Sequence, residues 1–372
     1  MAATSKAWRR SQPAAFFCSM LLLSVAVPTS ATTLPDERAD LMFHYYSGGG
    51  VTVSGPALLV RKNVTPQTSV SADVYTDSIS SASVDVVNTA SPYTDTRAEV
   101  GVGTHYLYGD SLLDIGYRFS DESDYTAKTL HMNVTQDFLG NTTTLNLGFS
   151  RGWDQVGRVD NAFSADADHF QFRAGLSQVL SPNWVAALDY EAIGDRGYLQ
   201  NPYRYARALG TYYNQIYPTT RTSNAIALRS IKSLFSNGAA RAEYRYYWDN
   251  WNIQAHTLEL AYRHKIDGRF SGEARYRFYT QSAASFYSDN FDREYNYMSR
   301  DKELSQFHDH SVGVNLSFVV LPERAKHWIS KSTVELGYDY IMFRYDDFTD
   351  LGSGNLYQFN AHVLRLTLSI WY

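Results

Sequence analysis

The sequence predicts an all-β fold: a transmembrane antiparallel up-and-down β-barrel of about sixteen strands. Three observations lead to this prediction. The chain ends on a strictly alternating strand with an aromatic last residue, it begins with an export signal, and short turns alternate with long loops along its length. Short periplasmic turns and long extracellular loops are the pattern of outer-membrane barrels.

The C-terminal stretch Gln358–Tyr372 carries the first observation. One parity holds Leu364, Leu366, Leu368, Ile370 and Tyr372, and the other holds Arg365, Thr367, Ser369 and Trp371. Period-2 alternation is typical of a strand with one apolar face. A terminal strand of this kind, closed by an aromatic residue, resembles the signal read by the barrel-assembly machinery. Leu366, Leu368, Ile370 and Tyr372 are therefore the predicted assembly signal; an edge strand of a soluble sandwich is the alternative.

Residues 1–31 have the organisation of a secretory signal peptide. Lys6, Arg9 and Arg10 precede the apolar run Ala14–Val27, which is too short to span a bilayer as a helix. Cleavage after Ala31 would remove the sole cysteine, so residues 32–372 would hold no disulfide, thiolate nucleophile or cysteine metal site. We expect residues 32–372 to form a single outer-membrane barrel domain.

The amino-acid composition agrees with an outer-membrane location. Removing Lys6, Arg9 and Arg10 from the 33 basic residues leaves 30, against 38 acidic ones, which argues against nucleic acid as a partner. The 29 Tyr, 19 Phe and 7 Trp suit a barrel that is edged by aromatic girdles. A soluble all-β protein with the same composition would have fewer exposed rings.

Sixteen segments repeat one strand-like unit. In order they are Ala39–Ser47, Val51–Lys62, Ser69–Ile79, Arg97–Tyr108, Ser111–Ser120, Thr126–Gln136, Thr143–Trp153, Ala167–Leu180, Trp184–Ile193, Thr222–Leu234, Ala239–Trp248, Asn252–Lys265, Phe270–Gln281, Phe307–Val320, Ser332–Phe343 and Tyr357–Tyr372. Most are long enough to cross a bilayer when tilted. The parity is clear in the fifth, where Leu113, Ile115 and Tyr117 oppose Asp114 and Gly116.

The connections are sorted by length. Tight turns such as Gly109-Asp110 and Asp267-Gly268 alternate mostly with longer segments such as Gly194–Arg221 and Ser282–Gln306. Counting back from a periplasmic C-terminus puts the tight turns in the periplasm. The hairpin at Gly48–Gly50 could instead be an N-terminal arm, which would leave fourteen strands.

Several stretches also resemble one family. They are LLVRKN (Leu58–Asn63), SVSADVYTDSISSASVDVV (Ser69–Val87), SPYTDTR (Ser91–Arg97), LSQVLSPN (Leu176–Asn183), NPYR (Asn201–Arg204), YPTTRTSNA (Tyr217–Ala225), QSAASFYSD (Gln281–Asp289), RDKELS (Arg300–Ser305) and FRYDDFTD (Phe343–Asp350). Together they resemble the proteobacterial outer-membrane barrels grouped as domain-of-unknown-function family 3570. The resemblance implies a barrel without assigned chemistry. Because members are often encoded beside thioredoxin-like, lipoprotein and flavin-attaching proteins, it also suggests a periplasmic lipoprotein or redox partner.

The polar parity of three strands is rich in paired charges. Its residues are Arg241, Glu243, Arg245, Glu259, Arg263, Glu273, Arg275 and Arg277. We expect them to line the lumen, since arginine binds carboxylates in a fixed bidentate geometry. One interpretation is a channel for small solutes, anionic ones among them. The alternative is a ladder of Arg–Glu pairs that fills the interior of a non-conducting scaffold, although about sixteen strands would leave an aqueous channel.

Catalysis and metal binding find little support. His308 and His310 flank Asp309, but a transition-metal site needs further ligands that the sequence does not place. An outer-membrane hydrolase is the least favoured function, because the sequence contains no motif of such enzymes. We expect no cofactor, no metal and no enzymatic activity.

The predicted outer loops are acidic and aromatic. Asp121–Tyr125, Ser288–Tyr297 and Tyr345–Asp350 offer carboxylates that could bind Ca²⁺ or bridge lipopolysaccharide, but a solvated charged loop is favoured over either. The longest loop, with Asn201–Arg204, is the first choice for specificity, as a constriction in the lumen or as a docking surface.

Overall fold

The structure, a computed structural model, describes residues 32–81, 93–323 and 328–372, so the predicted signal peptide lies outside the described residues. The strands are β1 Arg38–Gly48, β2 Val51–Thr65, β3 Thr68–Ser81, β4 Tyr93–Tyr108, β5 Ser111–Asp121, β6 Tyr125–Phe138, β7 Thr143–Gly157, β8 Ser164–Ser181, β9 Trp184–Gly197, β10 Tyr205–Ala208, β11 Thr211–Asn214, β12 Thr220–Leu234, β13 Gly238–Asp249, β14 Gln254–Lys265, β15 Phe270–Gln281, β16 Phe307–Leu321, β17 Lys331–Thr349 and β18 Leu356–Trp371. None of the described segments is a helix long and apolar enough to cross a membrane.

Sixteen of the eighteen described strands close into one antiparallel barrel, which confirms the predicted fold and strand number. Each strand pairs with its neighbours in the chain, except that β9 pairs directly with β12 and that β18 closes the ring on β1. The alternative of fourteen strands is wrong. Leu41 on β1 lies opposite both Leu58 on β2 and Leu368 on β18, so the first hairpin is part of the wall. Closure leaves the barrel without an unpaired edge.

The two faces of the wall follow the alternation of the sequence. On β14, Leu258 and Leu260 are 39% and 46% exposed on the outside, whereas Glu259 between them is buried at 5%. The outer face of β18 likewise carries Leu364 and Leu366, both exposed. A broad exposed apolar surface on one parity is what a lipid-facing wall requires. The opposite parity, with most of the charges, faces the interior.

Several strands run further than the sequence predicts. β7 continues to Gly157 and β17 to Thr349, into segments that were expected to be loops. These extensions reach the outer rim, where the regular alternation of apolar and polar residues that marks a strand in the sequence disappears. The long connection between β9 and β12 also contains the hairpin β10–β11, which no apolar alternation announces.

Candidate functional site: the lumen and its external cap

All eight residues predicted to line the lumen lie on the inward face of β13, β14 and β15. Most of these arginines are held by carboxylates on neighbouring strands. Arg241 pairs with Glu259, and Arg277 Nη1 lies 3.0 Å from Asp309 Oδ1. Such pairs fix each guanidinium against the wall instead of leaving it free in the lumen.

Other pairs reach across a whole intervening strand. Arg245 Nη2 on β13 lies 3.1 Å from Glu191 Oε2 on β9, which bridges β12. Asp339 on β17 is held by Arg275 on β15 and, at 2.6 Å, by Arg365 on β18. These reaches are short because the inner surface of the barrel is concave, and they brace the wall.

A glycine makes room for the Asp339 cluster. A Cβ atom at Gly313, on β16 between the two partners, would lie 2.0 Å from Asp339 Oδ1 and 3.3 Å from Arg275 Nη2. The carboxylate therefore lies flat over the backbone of β16, where any side chain would displace it.

Two of the predicted residues are not engaged in this way. Within the described residues, neither Arg263 nor Glu273 has an ion-pair partner, although they are directly opposite each other in the register. Arg263 is exposed, and its Nη2 lies 3.2 Å from Ser271 Oγ. Both remain accessible to a solute.

The side chains of the described residues do not fill the centre of the barrel. The inward side chains of Arg118, Arg173 and Arg365 keep 45%, 58% and 40% of their surface exposed even though each contacts a carboxylate. In a closed sixteen-strand wall, that surface faces an internal space. This space is consistent with the width expected from the strand number.

The charges on the inner wall are distributed unevenly. The stretch β12–β15 and the stretch β2–β5 face each other, since four strands separate them on either side. Seven inward arginines and four inward carboxylates lie on the first: Arg221, Arg229, Arg241, Arg245, Arg263, Arg275, Arg277, Glu243, Asp249, Glu259 and Glu273. Five inward carboxylates and three arginines lie on the second: Asp73, Asp77, Asp95, Glu99, Asp114, Arg61, Arg97 and Arg118. The lumen therefore has a basic wall opposite an acidic one.

One inward histidine sits among carboxylates but is not arranged as a catalytic base. His169 on β8 has its Nε2 3.0 Å from Asp154 and its Nδ1 2.8 Å from Asp195. Only the doubly protonated ring satisfies both contacts, so neither nitrogen is available to accept a proton from a nucleophile. His308 and His310 point outward, whereas Asp309 points inward to Arg277, so these three do not form a common site.

The outer mouth carries a folded cap built from the two longest described loops, residues 198–219 and 282–306, with the short loop after β13. Its hydrophobic cluster contains Tyr217, Trp251, Ile253, Ala284, Phe286 and Leu304. Trp251 meets the rings of Tyr217 and Phe286 edge-on, with centroids 5.6 Å and 5.0 Å away. The loops are joined further by isolated bridges, Ala208 to Phe291 and Ile216 to Met298. The cap is therefore packed like a small domain core.

An ion cluster at the centre of the cap joins its two long loops. Arg204 from the first loop pairs with Asp301 from the second, and its Nη2 lies 3.3 Å from Glu303 Oε1. Asp301 also accepts hydrogen bonds from the Tyr217 hydroxyl at 3.0 Å and from the Glu303 backbone amide at 3.0 Å. Burial raises the pKa of Glu303 and raises the pKa of Tyr217 well above its usual range. Asp301 thus holds together a cation, a phenol and the 3-10 turn Lys302–Leu304.

The cap folds inward over the mouth. Gln281, an inward-facing residue of β15, donates from Nε2 to the backbone oxygens of Glu303 at 3.0 Å and Ser305 at 2.8 Å, which places the 3-10 turn inside the rim. On the far side, Tyr287 donates to the carbonyl of Asp347 on β17 at 3.0 Å. The first loop reaches the β5–β6 connection through the Tyr203 hydroxyl, 2.8 Å from Asp124. The cap is therefore anchored on widely separated strands.

Aromatic rings line the mouth beside the cap. Phe307, Phe343, Tyr345, Phe348, Tyr357 and Phe359 form a continuous set of ring contacts on the inner side of β16–β18. Arg300 of the cap stacks over Phe348, with Cζ 4.3 Å from the ring centroid. A solute entering from outside would meet these rings before it reached the charged wall.

Three carboxylates meet at the β5–β6 loop, where the sequence offered acidic residues without a defined site. Asp95, Glu122 and Asp124 bring one oxygen each within 4.8 Å of the others. Burial, with the neighbouring carboxylates, raises the pKa of Glu122 to about 7 and that of Asp124 to about 6. Their mutual repulsion makes this loop sensitive to protons and cations.

Sequence reasoning selected the loop with Asn201–Arg204 as a constriction or a docking surface, but it missed the contacts that build the cap. It named Arg204 but not Asp301 or Glu303, although RDKELS, NPYR and QSAASFYSD were among the stretches that carried the family resemblance. All three of those stretches meet in the cap. The predicted assembly residues Leu366, Leu368 and Ile370 lie on the lipid-facing parity of β18, and Tyr372 follows the strand with its hydroxyl 2.9 Å from the Arg61 carbonyl.

The sequence of this chain was compared with family models and with curated proteins. A family model described as "Protein of unknown function (DUF3570)" matches residues 52–173 and 154–340. The chain belongs to this family. No curated protein matches it.

Among solved structures, a bacterial polysaccharide outer membrane secretin has a TM-score of 0.50 at 8% identity, with 90% of this chain and 98% of that chain covered. The outer membrane protein opdK from Pseudomonas aeruginosa has a TM-score of 0.44 at 12% identity, covering 91% and 99%. A Pseudomonas aeruginosa FadL homologue has a TM-score of 0.44 at 9% identity, covering 90% and 90%. At these identities the likeness concerns the fold alone. This DUF3570 chain thus has the fold of an outer-membrane β-barrel.

Proposed function

We propose that this DUF3570 protein is a capped channel that admits small polar solutes across the outer membrane. The observation that carries the proposal is the exposed surface of Arg118, Arg173 and Arg365 within the closed wall. Side chains that were packed to fill the interior would have lost that surface.

The basic wall on β12–β15 supports a preference for solutes that carry a negative group. Most of its arginines are neutralised by carboxylates, so the unpaired Arg263 and the half-exposed Arg173 on the adjoining wall are the groups that such a solute would contact first. A guanidinium binds a carboxylate or phosphate through two parallel hydrogen bonds. Selectivity should then be modest, because the opposite wall is acidic.

The cap favours a second candidate, a barrel that does not conduct and that holds a periplasmic lipoprotein or redox partner. Its hydrophobic cluster and the Arg204–Asp301 pair would then serve as a permanent closure. The two functions differ in one measurable property, the passage of ions.

The test is a planar-bilayer recording of the refolded protein in salt gradients. Stable current steps with a reversal potential that favours anions, shifted toward cations in Arg173→Ala and Arg263→Ala, are the expected result. Exposed Arg269, in the β14–β15 turn outside the lumen, provides the matched control, and Arg269→Ala should leave the reversal potential unchanged. A folded barrel that never conducts, even with a loosened cap, would reject the channel and favour the scaffold.

A further inference from the structure

A repeated side-chain pair runs around half of the outer surface of the barrel. In each pair, the hydroxyl of an outward-facing tyrosine meets an outward-facing polar side chain on the next strand of the barrel. The pairs are Tyr190 with Asn224 Oδ1 at 2.7 Å, Tyr244 with His256 Nδ1 at 2.7 Å, Tyr276 with His310 Nδ1 at 2.8 Å, and Tyr338 with His362 Nδ1 at 2.8 Å. They occupy β9–β12, β13–β14, β15–β16 and β17–β18 in turn.

These pairs lie at one height in the membrane. Along the hydrogen-bonding direction, His256 is in register with His308 on β16, and His310 is in register with Asn360 on β18. His310 lies two residues closer to the periplasmic end of β16 than His308 does. His362 likewise lies two residues closer to the periplasmic end of β18 than Asn360 does. A step of two residues covers about 6.6 Å along the strand, and two strand spacings together cover about 9.6 Å across the sheet. The line that joins the histidines therefore makes an angle of about 35° with the hydrogen-bonding direction. Strands of membrane barrels tilt by about this angle, so the steps cancel the tilt and the residues form a level belt.

The belt marks the outer edge of the apolar band. Toward the periplasm from His310, the outward positions are Val312, Val314, Leu316 and Phe318, and from His362 they are Leu364, Leu366, Leu368 and Ile370. The eight residue steps from His310 to Phe318 span about 22 Å of height at this tilt, close to the apolar band of an outer-membrane barrel. The histidines therefore stand where acyl chains give way to headgroups of the outer leaflet.

Each tyrosine contact engages Nδ1 of its histidine and leaves Nε2 for other partners. A hydroxyl that donates to Nδ1 requires the ring proton to be on Nε2, and the protonated ring also carries a proton there. With the tyrosine hydroxyl as the donor to Nδ1, Nε2 of each histidine is an N–H donor. On β6 and β7 the belt continues with exposed Lys128 and with Arg151, which stacks at 4.9 Å over both Trp153 and Phe170. Two carboxylates also lie near the belt: Asp168 Oδ1 is 3.6 Å from Arg151, and Asp346 Oδ1 is 3.5 Å from His308, which neighbours His310.

We propose that this belt binds the phosphate groups of phosphorylated glycolipid headgroups in the outer leaflet. Rings at the acyl boundary, with N–H donors and cations directed at the headgroup level, suit an anionic lipid that is apolar below and rich in acceptors above. The inference rests on the proposed outer-membrane location and does not depend on whether the lumen conducts.

The test counts the lipid that stays bound to the purified full-length barrel. The protein is reconstituted in phosphatidylcholine vesicles containing either a bisphosphorylated acylated glucosamine disaccharide or the same lipid without phosphates, then extracted in mild detergent and weighed by native mass spectrometry. The variant is His256→Phe/His310→Phe/His362→Phe, which keeps a ring at each site. The control is His264→Phe, the histidine on the same face at the opposite end of β14, where it meets the Tyr262 hydroxyl at 3.1 Å.

Wild type and His264→Phe should retain the phosphorylated lipid, with apparent affinity about tenfold lower in the triple variant, because loss of about 1.4 kcal/mol is tenfold. A second variant, Tyr244→Phe/Tyr276→Phe/Tyr338→Phe, keeps the histidines and should show a smaller loss. Equal retention by the wild type and either triple variant, or equal retention of the lipid without phosphates, would overturn the proposal. The heat-dependent gel mobility of the folded barrel shows independently that each variant is assembled.

Discussion

The barrel wall and the external cap are parts of one chain that are stabilised in different ways. Every strand of the wall has a neighbour on both sides, and its backbone hydrogen bonds form an unbroken ring. The cap has only the hairpin β10–β11 and isolated bridges, and it depends on a hydrophobic cluster and on the ion cluster around Asp301.

This difference indicates that the cap can open while the wall stays closed. Elements with few backbone ladders and a small core open locally at a lower free energy than the whole protein. In the wall, loss of one side chain leaves the ladder intact, whereas in the cap the loss of Asp301 removes the central one of a small number of links between two loops. Substitutions in the two regions should therefore have separable effects.

Asp301→Ala should have the largest effect. It leaves the buried Arg204 guanidinium without its main partner and removes the acceptor for the Tyr217 hydroxyl. Removal of one partner from a buried ion pair costs about 3–5 kcal/mol. The cap should become open to protease and to amide exchange, measured by mass spectrometry of residues 198–219 and 282–306.

Asp350→Ala is the matched control for this change, since Asp350 is also an aspartate at the outer rim but its carboxylate accepts from the Gly352 amide of its own turn, at 3.0 Å. It should leave the exchange of the cap unchanged. If Asp301→Ala left the cap as protected as the wild type, or if it unfolded the wall as well, the separation of the two regions would be wrong.

Trp251→Ala should come next. It removes the ring that packs between Tyr217 and Phe286 and the hydrogen bond from its Nε1 to the Thr220 carbonyl at 3.0 Å. Loss of a buried tryptophan costs about 3–5 kcal/mol, reduced here because the cap can collapse onto the space. Limited proteolysis should show cleavage in the same loops with the barrel core intact. The substitution Trp328→Ala, at an 84% exposed position beyond the opposite end of the wall, should have no such effect.

A smaller effect is expected at the β5–β6 loop, whose local stability should change with pH. The pKa of Glu122 is raised from 4.5 to about 7, so the folded loop binds this proton more tightly than the unfolded chain does. Its contribution to stability is therefore fully present below about pH 4.5 and is lost as the pH rises to 7. Amide exchange of residues 121–125, corrected for the intrinsic rate, should be faster at pH 8 than at pH 5.

The variant Glu122→Gln removes this ionisation and should flatten most of the pH dependence. Addition of Ca²⁺ at pH 8 should slow exchange in the wild type if the three carboxylates share the cation. Identical protection of the wild type at both pH values would show that repulsion among Asp95, Glu122 and Asp124 does not loosen this loop.

Arg173→Ala in the wall should have the smallest effect on stability. Its side chain is 58% exposed to the lumen, and its pair with Glu191 is shared with Arg245. Exposed pairs contribute about 0–1 kcal/mol, so thermal unfolding should be nearly unchanged while the ion selectivity shifts. A large fall in unfolding temperature would mean that the interior is packed and that the lumen is not open.

The wall could be predicted from sequence because its signal is local. Alternation such as that of Val312, Val314 and Leu316 recurs in strand after strand, and turn residues separate the strands. The predicted ends of β7 and β17, at Trp153 and Phe343, fall short of the observed ends at Gly157 and Thr349, because the alternation stops where the wall leaves the lipid. The prediction of which side chains face the lumen rested on the same alternation.

The cap could not be predicted in this way, since its contacts have no period. Arg204 and Asp301 are far apart in the chain, and neither lies in an amphipathic segment. A tertiary contact between two irregular loops leaves no local pattern, so these stretches were marked only by the resemblance of NPYR and RDKELS to one family and by the length of the loop that holds NPYR. The common height of His256, His310 and His362 in the membrane could not be predicted from sequence either, because it depends on the tilt of the strands in the closed barrel.

Single-channel recording of the wild type beside Asp301→Ala is the sharpest test of a cap that closes an open lumen. If the cap controls a solvent-filled lumen, the wild type should open rarely and Asp301→Ala should raise the open probability by at least about tenfold, with the same unitary conductance and with Asp350→Ala like the wild type. Silence of both proteins in their folded state, or equal open probabilities in both, would contradict it.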